Sequence, residues 1–460
     1  MNIEETDIVV IGMGPGGEDA AGRLAKAGLH VTGVEAKLVG GECPYWGCVP
    51  SKMMIRAAGL LAEARRIPGM AGAATVVPDW APVAARIRDE ATDSWNDKVA
   101  VDRFNGQGGH FVRGQGRITG RGEVTVDSAG APRVLRARRG IVIATGTEPA
   151  IPPIRGLAGT PYWTNREAIE AEEVPESLIV LGGGAIGAEL AQVFARFGAA
   201  VTVVEALPRL LPLEEPEASE LLAGVFTREG IAVRAGARAE HAGHDGRQFT
   251  VTLAGGETLA AQRLLVATGR HATIAALGVA AYGLDATARN IATDDRMRAA
   301  DGLWAIGDVT GKGAFTHVAM YQAGIAVRDI LGQDGPPADY RAVPRVTFTD
   351  PEIGSVGLIE AQAREQGLTV RTGITQVASS ARGWIHKTGN DGLIKLIEDT
   401  HRGVLVGATS AGPVGGEVLG ALAVAVHGQV RVARLQAMIY AYPTFHRGIE
   451  DALRSLADIP

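Results

Sequence analysis

The same strand–turn–helix–strand unit is written twice in this chain, and that repetition fixes most of what it can fold into. Asp7 to Val10 is mostly apolar and β-branched and reads as a buried parallel strand. It runs into Gly12-Met13-Gly14-Pro15-Gly16-Gly17, a helical stretch from Glu18 to Lys26, then Val31-Thr32-Gly33-Val34 and Glu35. The pattern returns as Ser177-Leu178-Ile179-Val180-Leu181, Gly182-Gly183-Gly184-Ala185-Ile186-Gly187, a helix, then Val201-Thr202-Val203-Val204 and Glu205. Gly12 to Glu35 and Gly182 to Glu205 are the same step of 23 residues.

Each copy matches the fingerprint of a dinucleotide site. The first glycine (Gly12, Gly182) makes the tight turn. The second (Gly14, Gly184) lets the backbone meet a pyrophosphate, and the third (Gly17, Gly187) allows close helix–strand packing. The pyrophosphate rests on the helix N-terminus, and the terminal acid, Glu35 or Glu205, can bond an adenosine ribose. A lone G-x-G-x-x-G is weak, because glycine-rich turns are common. Two ordinary βαβ units are therefore the plain alternative, but the complete order of strand, helix, strand and acid in both copies favours two nucleotide sites.

Each unit is answered by a later strand and glycine turn. Gly140 to Gly146 ends in Thr145-Gly146, and Arg263 to Arg270 contains Gly269, so these turns are further cofactor-binding candidates. Gly302-Leu303-Trp304-Ala305-Ile306-Gly307-Asp308 reads as a strand ending in a carboxylate. Asp308 could accept a hydrogen bond from a ligand sugar; a helix N-cap or turn aspartate is the other reading. After Ala342 the texture changes to strand-like runs at Val346–Gly357, Gly392–Ile397 and Gly403–Ala408, then apolar helices at Glu417–Val426 and Val432–Met438. The expected fold is α/β, with two Rossmann-like dinucleotide-binding domains and a C-terminal α+β dimerisation domain. The expected boundaries are 1–150 with 271–340, 151–270, and 341–460.

Composition narrows the function. A chain of 460 residues with 46% hydrophobic and 21% charged residues is ordinary for a multidomain enzyme. A net charge of −6 argues against a nucleic-acid partner, which needs basic patches. No apolar run approaches membrane-spanning length, so no membrane partner is expected. The acidic start, Met1-Asn2-Ile3-Glu4-Glu5, shows no secretory signal, and a cytoplasmic location is expected.

Cys43 and Cys48 are the only two cysteines. They lie in Gly40-Gly41-Glu42-Cys43-Pro44-Tyr45-Trp46-Gly47-Cys48-Val49-Pro50-Ser51-Lys52. A bridge between them closes a tiny loop and gains little loop entropy. Two thiols this close suit a disulfide that opens and closes during turnover. A metal site is the alternative, but structural zinc prefers four Cys/His ligands and no second pair exists, so no metal is expected. A helix following Cys48, expected from Met53 to Ala64, would favour a thiolate at its N-terminus.

Together these segments resemble the pyridine nucleotide–disulfide oxidoreductases, the family of dihydrolipoamide dehydrogenase, glutathione reductase and mercuric reductase. Ala305-Ile306-Gly307-Asp308 and Phe348-Thr349-Asp350-Pro351-Glu352 add to the resemblance, which spans essentially the whole chain. It implies FAD at the first fingerprint, NAD(P)H at the second and a homodimer. It also implies that Cys48 faces the flavin, that Cys43 exchanges with substrate, and that Lys52 pairs with Glu189 near the flavin. Glu205 points to NADH over NADPH, with Arg209 able to soften the preference.

The chain departs from the family in two places. Pro44, Tyr45 and Trp46 replace the small or amide residues usual between the cysteines. The family's C-terminal His-Pro-Thr-x-x-Glu motif, whose histidine exchanges protons with a substrate thiol, is here Tyr442-Pro443-Thr444-Phe445-His446-Arg447. Tyrosine is a poor base at neutral pH. His446 is nearby, but a helix would turn it to a different face. A mercuric role loses support because the chain has no extra cysteines. Three readings follow: NADH-driven reduction of a small-molecule acceptor such as a quinone, metal ion or unusual disulfide; a dihydrolipoamide dehydrogenase with a substituted acid–base group; and a redox-sensing flavoprotein.

Overall fold

The computed structural model describes residues 3–128 and 130–456. The chain forms two compact units, Met1–Pro50 with Ala85–Ala150 and Arg270–Tyr340, and Ser51–Ala84 with Ile151–Gly269 and Arg341–Pro460.

The first unit is built on a sheet ordered Arg298–Ala300, Leu303–Ala305, Arg133–Ile143, Ile3–Ile11, Val31–Glu35 and His110–Arg113. The strands from Leu303–Ala305 to His110–Arg113 are parallel. Successive side chains on a strand point to opposite faces, and here both faces are apolar, as a doubly covered parallel sheet requires. Ile8, Val10 and Val142 face one side, packed with Leu24, Phe104 and Ala323 of three helices, Pro15–Lys26, Lys98–Gly106 and Thr316–Ile330. Val9, Ile11, Ile141 and Ile143 face the other, where the antiparallel strands Gln115–Gly120 and Glu123–Asp127 bring Ile118, Val124 and Val126. The helix predicted over 18–26 begins at Pro15, since proline fits the first helical position, where its missing N–H costs nothing.

The second unit holds a parallel sheet ordered Ala232–Ala235, Ala200–Glu205, Ser177–Leu181, Arg263–Val266, with the helix Ala185–Arg196 joining its two central strands. The excursion 51–84 is tied to this part by Trp80. Its ring meets Phe197 edge-on at 4.8 Å, and its Nε1 donates to the Ala171 carbonyl at 2.8 Å. A five-stranded antiparallel sheet follows, ordered Pro344–Thr347, Glu352–Gly357, Val404–Gly412, Leu393–Asp399, Val370–Gln376. Helices Gly415–His427 and Gly448–Ser455 press Leu419, Leu422 and Leu453 onto Ile394, Leu396 and Leu405. The helix predicted over 432–438 stops at Gln436; the Tyr440 hydroxyl donates to the Leu435 carbonyl at 3.0 Å and satisfies one of its end groups. Among the described residues, no helix is long and apolar enough to cross a membrane.

Candidate active site

The two fingerprints fold alike, down to single atoms. Gly12 has φ +93°, and an added Cβ would meet the Ala144 carbonyl oxygen at 2.5 Å; Gly182 has φ +104° and would meet that of Ala267 at 2.4 Å. At Gly17 and Gly187 a Cβ would strike the carbonyl of Gly12 or Gly182, each at 2.0 Å. These four positions therefore require glycine. Gly14 is different: it caps the helix Pro15–Lys26, and a Cβ there would find only Gly41 Cα, 4.0 Å away. Gly184, Gly146 and Gly269 likewise face open space.

The terminal acids hold their own loops. Glu35 accepts the Met13 N–H on one oxygen and the Lys37 N–H on the other, both at 2.8 Å. Glu205 repeats this with Gly183 at 2.6 Å and Leu207 at 2.7 Å. Each carboxylate oxygen keeps a lone pair for a further donor. Arg209 turns to its own loop, donating to the carbonyls of Pro212 and Glu214 at 2.9 Å.

Asp308 begins the single turn Asp308–Thr310 and accepts the Thr147 hydroxyl at 2.9 Å. Burial pushes its carboxyl pKa above the ordinary range, and the Thr147 hydrogen bond and Arg270 only partly offset this. Arg270 donates to Thr147 Oγ1 at 2.9 Å and reaches Glu42, the residue before Cys43, at 3.8 Å. Thr145 lies two residues past the end of the strand Arg133–Ile143, beside Gly146. The sequence offered no sign that Thr147 and Arg270 join this cluster.

Cys43 lies in a one-turn helix, Glu42–Tyr45, and Cys48 is the first residue of Cys48–Arg65. That helix starts five residues before the predicted Met53, because Pro50 falls in its first turn, where proline is tolerated. The thiols are hydrogen-bonded to each other. That bond, then burial, pushes the Cys43 thiol pKa well up, while the Thr316 hydroxyl pulls the other way. Cys48 Sγ lies 3.5 Å from Thr316 Oγ1, a neighbour the sequence did not reveal. The unusual residues between the cysteines have local partners. A Cβ at Gly40 would meet Pro44 at 2.9 Å and Tyr45 at 3.3 Å, so both pack onto the bare glycine. The Tyr45 hydroxyl donates to the Val39 carbonyl at 3.2 Å.

Lys52, four residues along the same helix, donates to Glu189 at 2.9 Å, in the predicted pairing. Its ammonium stands 4.6 Å over the Phe348 ring, and the other Glu189 oxygen accepts the Phe348 N–H at 2.8 Å. One turn on, Gln192 exchanges hydrogen bonds with the Asp350 backbone, at 2.7 and 2.9 Å. Arg196 then bridges Asp350 at 2.8 Å and Glu229 at 2.5 Å, with Arg66 on the same Asp350 oxygen at 2.6 Å. Burial opposes the charge of Asp350, but Arg196 and Arg66 outweigh it and hold the carboxyl pKa below the ordinary aspartate range. Its stabilisation is therefore complete above the unfolded pKa of about 3.9 and is lost as pH falls through the lower folded value. Arg196→Met should cost about 1–3 kcal/mol, because half-buried Glu229 loses its ion pair and Asp350 keeps only Arg66. Urea unfolding at pH 7 checks the size, and a deficit that shrinks as pH falls below about 4 checks the sign.

The C-terminal motif residues stand apart from helical structure. Tyr442 lies in a turn, 69% exposed, with the Arg447 guanidinium 5.3 Å over its ring. Arg447 also pairs with Glu450 at 3.0 Å. The helix here starts only at Gly448, so His446 sits in the turn, not on the helix expected to turn it away; its ring is 6.1 Å from that of Tyr440.

Residues 6–323 match the profile described as pyridine nucleotide-disulphide oxidoreductase, and residues 343–453 match the dimerisation domain of the same family. The chain belongs to that family. A dihydrolipoyl dehydrogenase of Chlorobaculum tepidum is 35% identical, over 97% of this chain and 96% of its own length. A mercuric reductase of Shewanella putrefaciens is 33% identical, over 96% of this chain and 80% of its own. Among solved structures, the Cu(II) complex of the HOCl-induced flavoprotein disulfide reductase RclA from Escherichia coli superposes with a TM-score of 0.86 at 27% identity, covering 99% of both chains. LpdA from Mycobacterium tuberculosis also gives 0.86 at 27% identity, covering 99% of this chain and 100% of its own. The protein is thus an oxidoreductase of a family whose members contain FAD and use NAD(P)H, and it carries the family's dimerisation domain. The resemblance drawn from the sequence, the α/β fold class and the cofactor class all stand.

Proposed function

We propose that the protein passes electrons from NADH, through FAD, to a Cys43–Cys48 disulfide and on to a small-molecule acceptor other than a lipoyl dithiol. The observation that carries this reading is the pair of hydrogen-bonded thiols at a helix start, in a chain whose expected acid–base position holds Tyr442 under Arg447. Bound FAD would supply the relay that turns a two-electron hydride donor into a disulfide reductant. The balance is one NADH, one proton and one disulfide giving NAD⁺ and two thiols.

The residues fit these groups. Gly12, Gly17, Gly182 and Gly187 bring each strand, turn and helix into contact, while Gly14 and Gly184 leave the helix starts bare for a pyrophosphate. Asp308 keeps acceptor capacity beside Thr147 for a hydroxyl of the flavin's sugar chain. Residues 1–150 with 271–340 would hold FAD, 151–270 NADH, and 341–460 the partner subunit of a homodimer. The strongly exposed Trp384 (73%) and Ile439 (96%) suit an interface. Lys52, held by Glu189 and Phe348, would present its charge to the flavin.

NADH is preferred over NADPH on this reading. The Glu205 carboxylate would repel a 2′-phosphate, and Arg209, engaged with its own carbonyls, does not answer it. Catalytic efficiency should be higher with NADH, and Glu205→Ala should narrow the gap; equal use of both cofactors contradicts the assignment. The acceptor is tested by a panel run with NADH: lipoamide, glutathione disulfide, quinones, ferricyanide and metal ions. Cu(II) belongs in that panel because the RclA structure is a Cu(II) complex. A second reading, dihydrolipoamide dehydrogenase with a substituted acid–base group, is favoured by the 35% identity to an enzyme of that name. A non-catalytic redox sensor would show no steady NADH consumption with any acceptor.

A further inference from the structure

Three charged groups that the proposed electron path does not use are buried where the loop after Glu205 meets the C-terminal sheet. Glu214 and Glu215 end that loop, and Lys395 lies on the strand Leu393–Asp399. Arg345, on the strand Pro344–Thr347, donates to both Glu214 oxygens, at 2.7 and 3.0 Å. Lys395 donates to Glu215 at 3.0 Å and to Glu217 at 2.8 Å, and the other Glu215 oxygen accepts the Glu360 N–H at 2.7 Å. Burial opposes the Lys395 charge, but Glu217, Glu215 and Glu360 outweigh it and hold its pKa above the ordinary lysine range. The other end of the loop reaches the second fingerprint. The Leu207 N–H rests on Glu205, and the Leu211 N–H donates to the Gly183 carbonyl at 2.9 Å. Leu211 holds φ +45°, a left-handed conformation that a leucine keeps only where its surroundings impose it. Arg209 closes the chain of contacts by donating to the Glu214 carbonyl.

We propose that Arg345, a residue of the C-terminal sheet, is a positioning residue for the nicotinamide nucleotide: through Glu214 it holds the loop 206–214 in the shape that presents Glu205 to NADH. This rests on the reading of the second fingerprint as the NADH site. Lys395 fixes Glu215, the N-cap of the helix Pro216–Arg228, so the loop ends on an anchored point. Arg345 then decides how the residue before it sits. Without Arg345, the buried Glu214 carboxylate has no cation and turns towards water. Its carbonyl leaves Arg209, the left-handed turn at Leu211 loses its support, and the Leu207 N–H no longer orients the Glu205 carboxylate. The nucleotide must then restore the loop before it can bind, and that cost appears as lost affinity.

The test titrates oxidised, FAD-loaded enzyme with NAD⁺ in a calorimeter, which reads nucleotide binding without turnover. Arg345→Met should weaken NAD⁺ binding about tenfold, as when only about a tenth of the molecules hold the loop in place. With ferricyanide as acceptor, KM for NADH should rise in step while kcat changes less than about twofold, the signature of lost ground-state binding. Glu214→Gln should weaken NAD⁺ binding in the same way. The double variant should bind no worse than the weaker single variant, because both changes act through one ion pair. Arg345→Gln carries the same comparison if methionine is not tolerated. Unchanged NAD⁺ affinity in the Arg345 variant, or a double variant whose loss is the sum of the two, overturns the proposal. Failure of the underlying reading looks different: wild-type enzyme would then neither bind NAD⁺ nor be reduced by NADH.

Discussion

Cys48→Ser should abolish the long-wavelength thiolate–flavin absorbance that wild-type enzyme develops on partial reduction, whereas Cys43→Ser should display it without any reduction. The asymmetry comes from position. Cys48 begins the 18-residue helix and lies against Thr316, and both features favour a thiolate there. Cys43 sits in a one-turn helix, and the bond to Cys48 and burial keep its thiol protonated. Removing Cys43 would leave Cys48 unable to close a disulfide, so on the proposed assignment its thiolate would remain available to a bound flavin. Both variants should lose NADH-driven disulfide chemistry completely, because neither can hold two electrons as a dithiol. Ultraviolet–visible titration with dithionite under nitrogen separates the two. If the variants behave alike, the roles of the two sulfurs are misassigned.

Much of this site was legible in the sequence, and the reasons are physical. Gly12, Gly17, Gly182 and Gly187 are readable because a Cβ would collide with a carbonyl, so only one residue type serves and the spacing survives as a pattern. The Lys52–Glu189 pair was readable only through family resemblance, since nothing local links residues 137 positions apart. Thr316 had no such signal: a single hydroxyl on an apolar helix looks like any other threonine until the fold brings it to Cys48. The double grip of Glu35 and Glu205 on their own loops was also hidden. The carboxylate was expected for its ribose bond, but its loop-holding hydrogen bonds run to backbone N–H groups that carry no sequence mark. The helix expected from Met53 begins at Cys48, and Pro50 is no obstacle because it falls in the first turn, where its missing N–H has no intrahelical partner to lose.

The second large effect concerns the acid–base position. Oxidation of a dithiol by Cys43–Cys48 needs a group that takes a proton as the substrate thiol attacks. General-base catalysis of this kind contributes roughly 10²–10⁴-fold. Tyr442 is a weak base, it is exposed, and its ring is covered by Arg447, a cation that cannot accept a proton. Tyr442→Phe should therefore leave quinone or ferricyanide reduction nearly unchanged. Tyr442→His combined with Arg447→Glu should raise lipoamide activity, because the imidazole titrates near neutral pH and the new carboxylate can orient it.

On the proposed reading, this family member no longer oxidises a lipoyl dithiol efficiently and keeps electron delivery to another acceptor. The most direct measurement compares, in one wild-type preparation, the rate with dihydrolipoamide and NAD⁺ and the rate with NADH and a quinone acceptor. The dihydrolipoamide rate should be lower by roughly 10²-fold or more, the contribution of the missing base. Equal rates would contradict this reading, would point to His446 as the base, and would make the protein a dihydrolipoamide dehydrogenase with its acid–base group moved.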